Sequence, residues 1–395
     1  MLPKGWKRRP LDEIAQVTSG GTPERSEPSY WGGDIPWVTT GEIRFNTITS
    51  TEQKITVAGL KNSSAKLFPP GTLLMAMYGQ GKTRGQVARL GIQAATNQAC
   101  AAILLRGDNN PDFYFHVLSS QYESLRELGN AGTQQNLNCS IIKQISVPVP
   151  PPIEQLRIAT VLSKWDEAIA TTESLLTNSV KQKKALMRSL LSPTANKLGW
   201  KLYQLDELFS ERNETRREDL PLLSITREDG VILRDDVGRK DTSNEDKSNY
   251  LRICPGDIGY NTMRMWQGVS ALSSLEGIVS PAYTIVVPNE KIDARFAAYL
   301  FKLDRMIFAF YRHSQGLVSD TWNLKFSHFK KISVFIPSKA EQKKVVSILS
   351  ASDEVIAVLS KKLMILREEK SALMQQLLTG KRRVRLPSKS EATTA

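Results

Sequence analysis

The chain has 395 residues, 41% of them hydrophobic, and its 53 Lys and Arg outnumber its 40 Asp and Glu to give a formal charge of +13. That length suits two or three domains with packed cores, and the basic excess points to a polyanionic partner, nucleic acid first. Three scattered cysteines argue against a disulfide framework and for a reducing cytosol, and neither a membrane-spanning apolar run nor the apolar core of a signal peptide is present, so a cytoplasmic protein without membrane contact is expected.

The chain opens with Gly5-Trp6-Lys7 and Leu11-Asp12-Glu13-Ile14, followed by a polar loop at Thr18–Thr22. Pro70-Gly71 marks a turn before a strand at Leu73–Tyr78. Ala76 to Thr83 fits a loose phosphate-loop pattern. A true phosphate loop must run straight into a helix whose amides hold the phosphates, and Arg84-Gly85-Gln86 through Gly91 makes a poor helix start. The better reading is a glycine-flexible hairpin carrying Gln80, Lys82, Thr83, Arg84 and Gln86. A strand at Ala99–Leu105, a helix at Asp112–Leu128, a polar loop at Thr133–Asn136 and a strand at Ile145–Val149 follow. Pro148, Pro150, Pro151 and Pro152 are then expected to stop regular structure and form a stiff hinge.

Beyond the hinge lies a long helical pattern. Ile158, Leu162, Trp165, Ile169, Thr172, Leu176, Ser179, Lys183, Leu186 and Leu190 are spaced alternately by four and three, a coiled-coil seam. A helix of about 40 residues is about 60 Å long. It ends at Ser192-Pro193.

The pattern then repeats. Gly199-Trp200-Lys201 and Leu205-Asp206-Glu207 restate the opening at an offset of 194 (5 to 199). Ile332-Ser333-Val334 restates Ile145-Ser146-Val147 at an offset of 187, so the second globular part is about seven residues shorter in its middle. Pro255-Gly256 matches the earlier turn, and Asp293–His313 reads as the equivalent helix. Polar loops fall at Asn261–Gln267 and Ser314–Trp322, and Pro337 takes the hinge position. The second seam is Val345, Leu349, Ser352, Ile356, Leu359, Leu363, Leu366, Lys370, Leu373 and Leu377. Neither seam is well filled alone, so antiparallel packing of one helix on the other is expected. Lys183 and Lys370 share a seam position, as register devices with snorkelling stems or as residues at its wet edge. After Gly380 comes Lys381-Arg382-Arg383-Val384-Arg385, read either as a phosphate or subunit contact or as a solvated end.

No catalytic constellation or metal site is found. His116, His313 and His328 lack metal-like spacing, and His116 and His313 read as packing residues. Neither Gly-x-Ser-x-Gly nor a Gly-x-Gly-x-x-Gly after a strand occurs.

Two globular parts, each followed by a long helix, resemble the specificity (S) subunit of type I restriction–modification enzymes. The resemblance covers nearly the whole chain, from about Gly5 to Arg383, and a set of strings carries it. They are Ser19-Gly20-Gly21-Thr22-Pro23, Tyr30 to Trp37, Gly132-Thr133-Gln134-Gln135-Asn136-Leu137, Pro150 to Gln155, and Leu373 to Lys381. The second copy departs at Ala340-Glu341-Gln342 and at Ser314-Gln315-Gly316.

The resemblance implies an α+β fold: two mixed α/β target recognition domains joined and separated by two long antiparallel coiled-coil helices, as a pseudo-twofold internal repeat. Its parts would be residues 1–150 and 194–338 as recognition domains, 151–193 and 339–380 as spacer helices, and 381–395 as a basic tail. It implies a non-catalytic subunit in which each domain reads one half of a bipartite site in double-stranded DNA. The helices dock two modification (M) subunits that methylate adenine, and restriction (R) subunits add ATP-driven cleavage. No cofactor is expected on this chain; S-adenosylmethionine, ATP and Mg belong to the partner subunits.

The candidate DNA contacts are Thr18, Ser19, Thr22, Gln80, Lys82, Thr83, Arg84, Gln86, Thr133, Gln134, Gln135 and Asn136 in the first domain. In the second they are Asn261, Arg264, Trp266, Gln267, Ser314, Gln315, Ser319 and Trp322. Arg84 and Arg264 suit guanine and Gln and Asn suit adenine, with phosphate contact or solvent exposure open for each. Trp31, Trp37 and Trp322 read as loop or core anchors. Glu154, Gln155, Trp165, Lys183, Glu341, Gln342 and Lys370 are the candidate spacer and subunit-contact residues, with helix capping as the alternative for the Glu-Gln corners. Competing readings are a self-sufficient modification enzyme, a coiled-coil scaffold, and a DNA-binding protein outside restriction–modification.

Overall fold

A computed structural model of the chain describes residues 3–79, 82–128, 136–192, 199–226, 229–238, 246–317 and 321–385. The chain divides into two units: Met1–Glu173 with Lys361–Ala395, and Ser174–Ser360. Both expected long helices form, at Pro152–Leu190 and Lys339–Leu377, each 39 residues, and each gives one half to either unit. All twenty seam positions are buried or half-buried, as the four-three spacing predicts.

In the first unit a five-stranded sheet runs in the order Ala15–Ser19, Cys100–Leu105, Leu73–Ala76, Val87–Leu90, Thr47–Ile48. A four-stranded sheet beside it carries Trp31–Val38. Lys7–Pro10 pairs with Ser146–Val149, so the opening strand closes on the strand that leads into the long helix. The main core joins Leu11, Phe113, Val147 and Ile158 to Leu377 and Leu378, so the end of the second long helix completes the first unit. Glu173 pairs with Arg367, Asp166 with Lys370, and Glu154 with Arg383. Partner numbers fall as the others rise, which is antiparallel packing.

The second unit repeats this plan. Lys201–Gln204 pairs with Ser333–Ile336, and a four-stranded sheet runs Phe209–Glu211, Tyr283–Pro288, Ile258–Asn261, Ser270–Leu272. Its core includes Leu191, Phe296, Phe329, Val345 and Leu349, and Lys183 pairs with Asp353. Both seam lysines are therefore half of a cross-helix ion pair.

Pro148 does not stop structure; it sits inside the Ser146–Val149 strand opposite Arg8, in a two-stranded pair where a missing N–H is tolerated. Pro152 opens the long helix, at the position where the N–H is unused anyway, so only Pro150 and Pro151 lie outside regular structure. The helix expected at Asp112–Leu128 is two, Pro111–Ser120 and Tyr122–Leu128, and that at Asp293–His313 is likewise Ala294–Leu300 and Asp304–His313. Neither break holds a Gly or Pro. At the second, Leu303 turns to an extended conformation and buries its side chain in the core, so packing overrides local propensity.

The basic stretch after Gly380 is bound as far as Arg385. The Arg383 guanidinium donates from Nη2 to Glu154 Oε1 at 2.5 Å and from Nε to Oε2 at 2.9 Å. Glu154 is only 2% exposed and also accepts from Trp6 Nε1 at 3.1 Å. Arg383→Ala leaves that carboxylate buried without its cation and is expected to cost about 2–3 kcal/mol, read as a lower urea midpoint for the first unit.

His116 is a packing residue, 1% exposed. Burial, then the nearby Lys370 and Arg89 charges, push its imidazole down to about 3, so it is neutral when folded. Unfolding returns it to about 6.5. Between those values the unfolded chain holds more protons, so this component of stability is full above pH 6.5 and is lost as pH falls toward 3. His116→Leu is expected to flatten that part of the stability–pH curve; an unchanged slope contradicts the assignment.

Candidate nucleic-acid interface

Strand register gathers the first unit's polar loops. Ser19 and Met75 both lie opposite Ala101, so the strands Ala15–Ser19 and Leu73–Ala76 run parallel and end at one edge of the sheet. Leu137 N–H donates to Met77 O at 3.1 Å and pins exposed Asn136 beside that edge. Thr18, Ser19, Thr22, Lys82, Thr83, Gln86 and Asn136 therefore share it. Lys66, missed in the sequence because it precedes the Leu67–Phe68 strand rather than a turn, joins them by donating from Nζ to Thr18 Oγ1 at 2.8 Å. Gln80, Thr133, Gln134 and Gln135 lie outside the described residues.

The segment after Thr83 turns back on Ala76, with Gly85 N–H donating to Ala76 O at 2.9 Å, and enters the strand Val87–Leu90. A strand, not a helix, follows, so the phosphate-loop geometry is absent there. Arg84 is turned inward: its Nη2 donates to Arg126 O at 3.2 Å, at the end of the Tyr122–Leu128 helix. Lys82 is the exposed cation of this loop.

Gly20 and Gly21 position the Thr18–Thr22 loop. A Cβ on Gly20 would overlap the Thr96 carbonyl and hydroxyl, and one on Gly21 the Ser64 backbone. Trp37, 1% exposed, donates from Nε1 to Gly21 O at 3.0 Å, and Trp31 donates to Glu24 O at 3.0 Å, so both are anchors.

In the second unit the two predicted loops form one surface. Gln315 and Asn323 exchange backbone bonds of 2.8 Å, and Leu324 N–H donates to Thr262 O at 2.8 Å. Trp266 and Trp322 meet edge to face at 5.2 Å, and Tyr311 adds a third ring 4.9 Å from Trp322. Arg264 and Gln315 are exposed, Asn261 and Gln267 half-buried. Ser314 Oγ instead donates to Phe310 O at 2.8 Å and closes its helix. Ser319 lies outside the described residues. Tyr311 escaped the sequence reading because it sits on a helix, not in a loop.

The Glu-Gln corners have an internal job. Gln155 and Gln342 are 1% and 0% exposed. Gln155 accepts from Asn110 N–H at 2.8 Å and donates to Pro150 O at 2.9 Å. Gln342 does the same with Asp293 N–H at 2.7 Å and Pro337 O at 3.0 Å. Each glutamine ties its long helix to the N-cap of a domain helix. Of the candidate contact residues on the helices, Glu341 is exposed and Trp165 half-buried.

Each unit's edge offers amide and cationic donors, beside aromatic rings in the second unit, chemistry suited to base edges and phosphates. Among the described residues no cluster of His, Cys, Asp and Glu could hold a metal ion, and no helix is long and apolar enough to cross a membrane.

The family model described as the type I restriction modification DNA specificity domain matches residues 3–182 and again 198–366. The chain is 31% identical over 173 residues to the type I restriction enzyme MjaIX specificity subunit of Methanocaldococcus jannaschii, covering 42% of this chain and 39% of that one. It is 26% identical to the HindI specificity subunit of Haemophilus influenzae, covering 49% and 41%, so the chain spans about two-fifths of the length of each of these relatives. Against the putative MjaX specificity subunit of M. jannaschii the match is 24% but covers 97% and 95%. Among solved structures, the type I restriction–modification S subunit from M. genitalium superposes with a TM-score of 0.60 at 16% identity over 94% of this chain and 96% of that one, a likeness of fold. A chain from a study of complex assembly and conformational transition of the type I system gives 0.58 at 13% identity, over 97% and 100%.

Gly20→Ala tests the close approach. It is expected to lower stability by about 1–3 kcal/mol through displacement of the Thr18–Thr22 loop, measured by denaturant unfolding.

Proposed function

Because the chain belongs to the type I restriction modification DNA specificity family, matched over both of its modules, we propose that it is the DNA-reading, non-catalytic subunit of a type I restriction–modification complex. Each unit reads one half of a bipartite site in duplex DNA. The paired helices act as the spacer. The observation that carries this reading is the same edge built twice, with different side chains each time: Lys66, Lys82, Gln86 and Asn136 in one unit, Arg264, Gln315 and the Trp266–Trp322 pair in the other. A kept scaffold with unlike edges suits two unlike half-sites.

The partners in this reading are two methyltransferase (M) subunits, with restriction (R) subunits for ATP-dependent cleavage; S-adenosylmethionine, ATP and Mg sit on them. Solvent-facing Leu175, Val180, Val355, Val358 and Met364 on the long helices support docking of other chains there. DNA as the target implies a cytoplasmic location.

The test is duplex binding by the assembled complex over a set of sequences and salt concentrations. Sequence-preferred, salt-dependent binding is expected. Arg264→Ala is expected to relax choice at one base pair by about 1–3 kcal/mol and leave the others unchanged. A uniform loss across sequences with a shallower salt dependence would make Arg264 a phosphate contact. Binding without any sequence preference would overturn the reading.

A further inference from the structure

Each domain helix touches its long helix at two points, and the second point also reaches the opposite helix. The first point is the N-cap, Asn110 or Asp293, held by the buried Gln155 or Gln342. The second lies six residues further along, at His116 and at Tyr299. Tyr299 Oη donates to Asp353 Oδ2 at 2.6 Å, while Lys183 Nζ takes Asp353 Oδ1 and lies 5.3 Å from the Tyr299 ring centroid. In the other unit His116 Nε2 stands 3.8 Å from Asp166 Oδ2, and Lys370 Nζ takes Asp166 Oδ1.

One attachment leaves a helix free to swing. Two attachments, six residues apart, fix its direction. A carboxylate with one oxygen on the domain and the other on the opposite helix couples that direction to the register of the helix pair. The two clusters also differ. Tyr299 makes a charge-assisted hydrogen bond. His116 makes none at 3.8 Å, and its Nδ1 is buried without a partner.

We propose that Tyr299–Asp353–Lys183 is a positioning cluster that fixes the direction in which the second unit's recognition sheet leaves the helix pair, and thereby the length of unread DNA that the chain accepts; His116, 3.8 Å from Asp166 without a hydrogen bond, holds the first unit's sheet more loosely. The inference rests on the reading of the chain as a bipartite-site subunit. The Tyr299 cluster is the tighter of the two.

The test uses the full chain assembled with its methyltransferase subunits, on DNA whose gap between half-sites is native, one base pair shorter or one longer. The readout is the ratio of methylation rates at the native and altered gaps, alongside half-site base preference and unfolding temperature. Tyr299→Phe is expected to keep base preference and to lower the ratio about tenfold, the scale of one hydrogen bond to a charged acceptor. His116→Phe is expected to change it less. An unchanged ratio in Tyr299→Phe overturns the proposal; should that variant not assemble, Lys183→Met is read by the same criterion. A wild-type complex that shows no fixed gap would instead sink the bipartite reading itself.

Discussion

A helix of 39 residues with a narrow, partly polar seam does not hold itself together in water; it needs a partner along its length. In this chain the partner is the other copy of the same segment, and the constraint that aligns them is electrostatic. Each long helix carries an aspartate and, seventeen residues on, a lysine: Asp166 and Lys183 in one, Asp353 and Lys370 in the other. Asp166 meets Lys370 in the first unit, and Lys183 meets Asp353 in the second. A slip by one turn in either unit would separate its pair, so partner choice along the seam is discrete. The lysines are the less exposed members, at 17% and 22%, which fits stems packed along the seam with only the head group at its rim.

From that alignment the rest follows in order. The buried glutamines join helix to domain, the opening strands close each domain on itself, and the sheet edges are left to carry unlike loops. The first unit needs the far end of the chain to be whole, since Leu377, Leu378 and Arg383 pack on Trp6, Ile158 and Glu154. A scaffold built this way tolerates change at the edges, where Lys66, Lys82 and Asn136 in one unit stand for Arg264, Gln315 and three aromatic rings in the other.

Much of this was legible in the amino-acid order, because it rests on period and repetition. The seam, the two long helices, the rejection of the phosphate loop and the anchoring roles of Trp31 and Trp37 all follow from spacing or residue type. What was not legible depends on partners distant in sequence. Pro148 reads as a breaker until Arg8 lies opposite it. Glu154 reads as a subunit contact or a helix cap until Arg383, 229 positions away, covers it. Arg84 reads as a free donor until the Arg126 carbonyl takes it. The helix breaks at Gln121 and at residues 301–303 carry no Gly or Pro, and at the second the buried Phe301 and Leu303 answer to core packing.

Each unit keeps one register of the paired helices through its own ion pair, Asp166–Lys370 or Lys183–Asp353, and the proposed function gives each unit one half of a bipartite DNA site to read. Mapping adenine methylation in a genome that expresses this chain with its partner subunits tests it most directly. The expected result is a modified motif of two short, unlike half-sites separated by an unread gap of one length. An uninterrupted motif, or half-sites joined by gaps of several lengths, would contradict it.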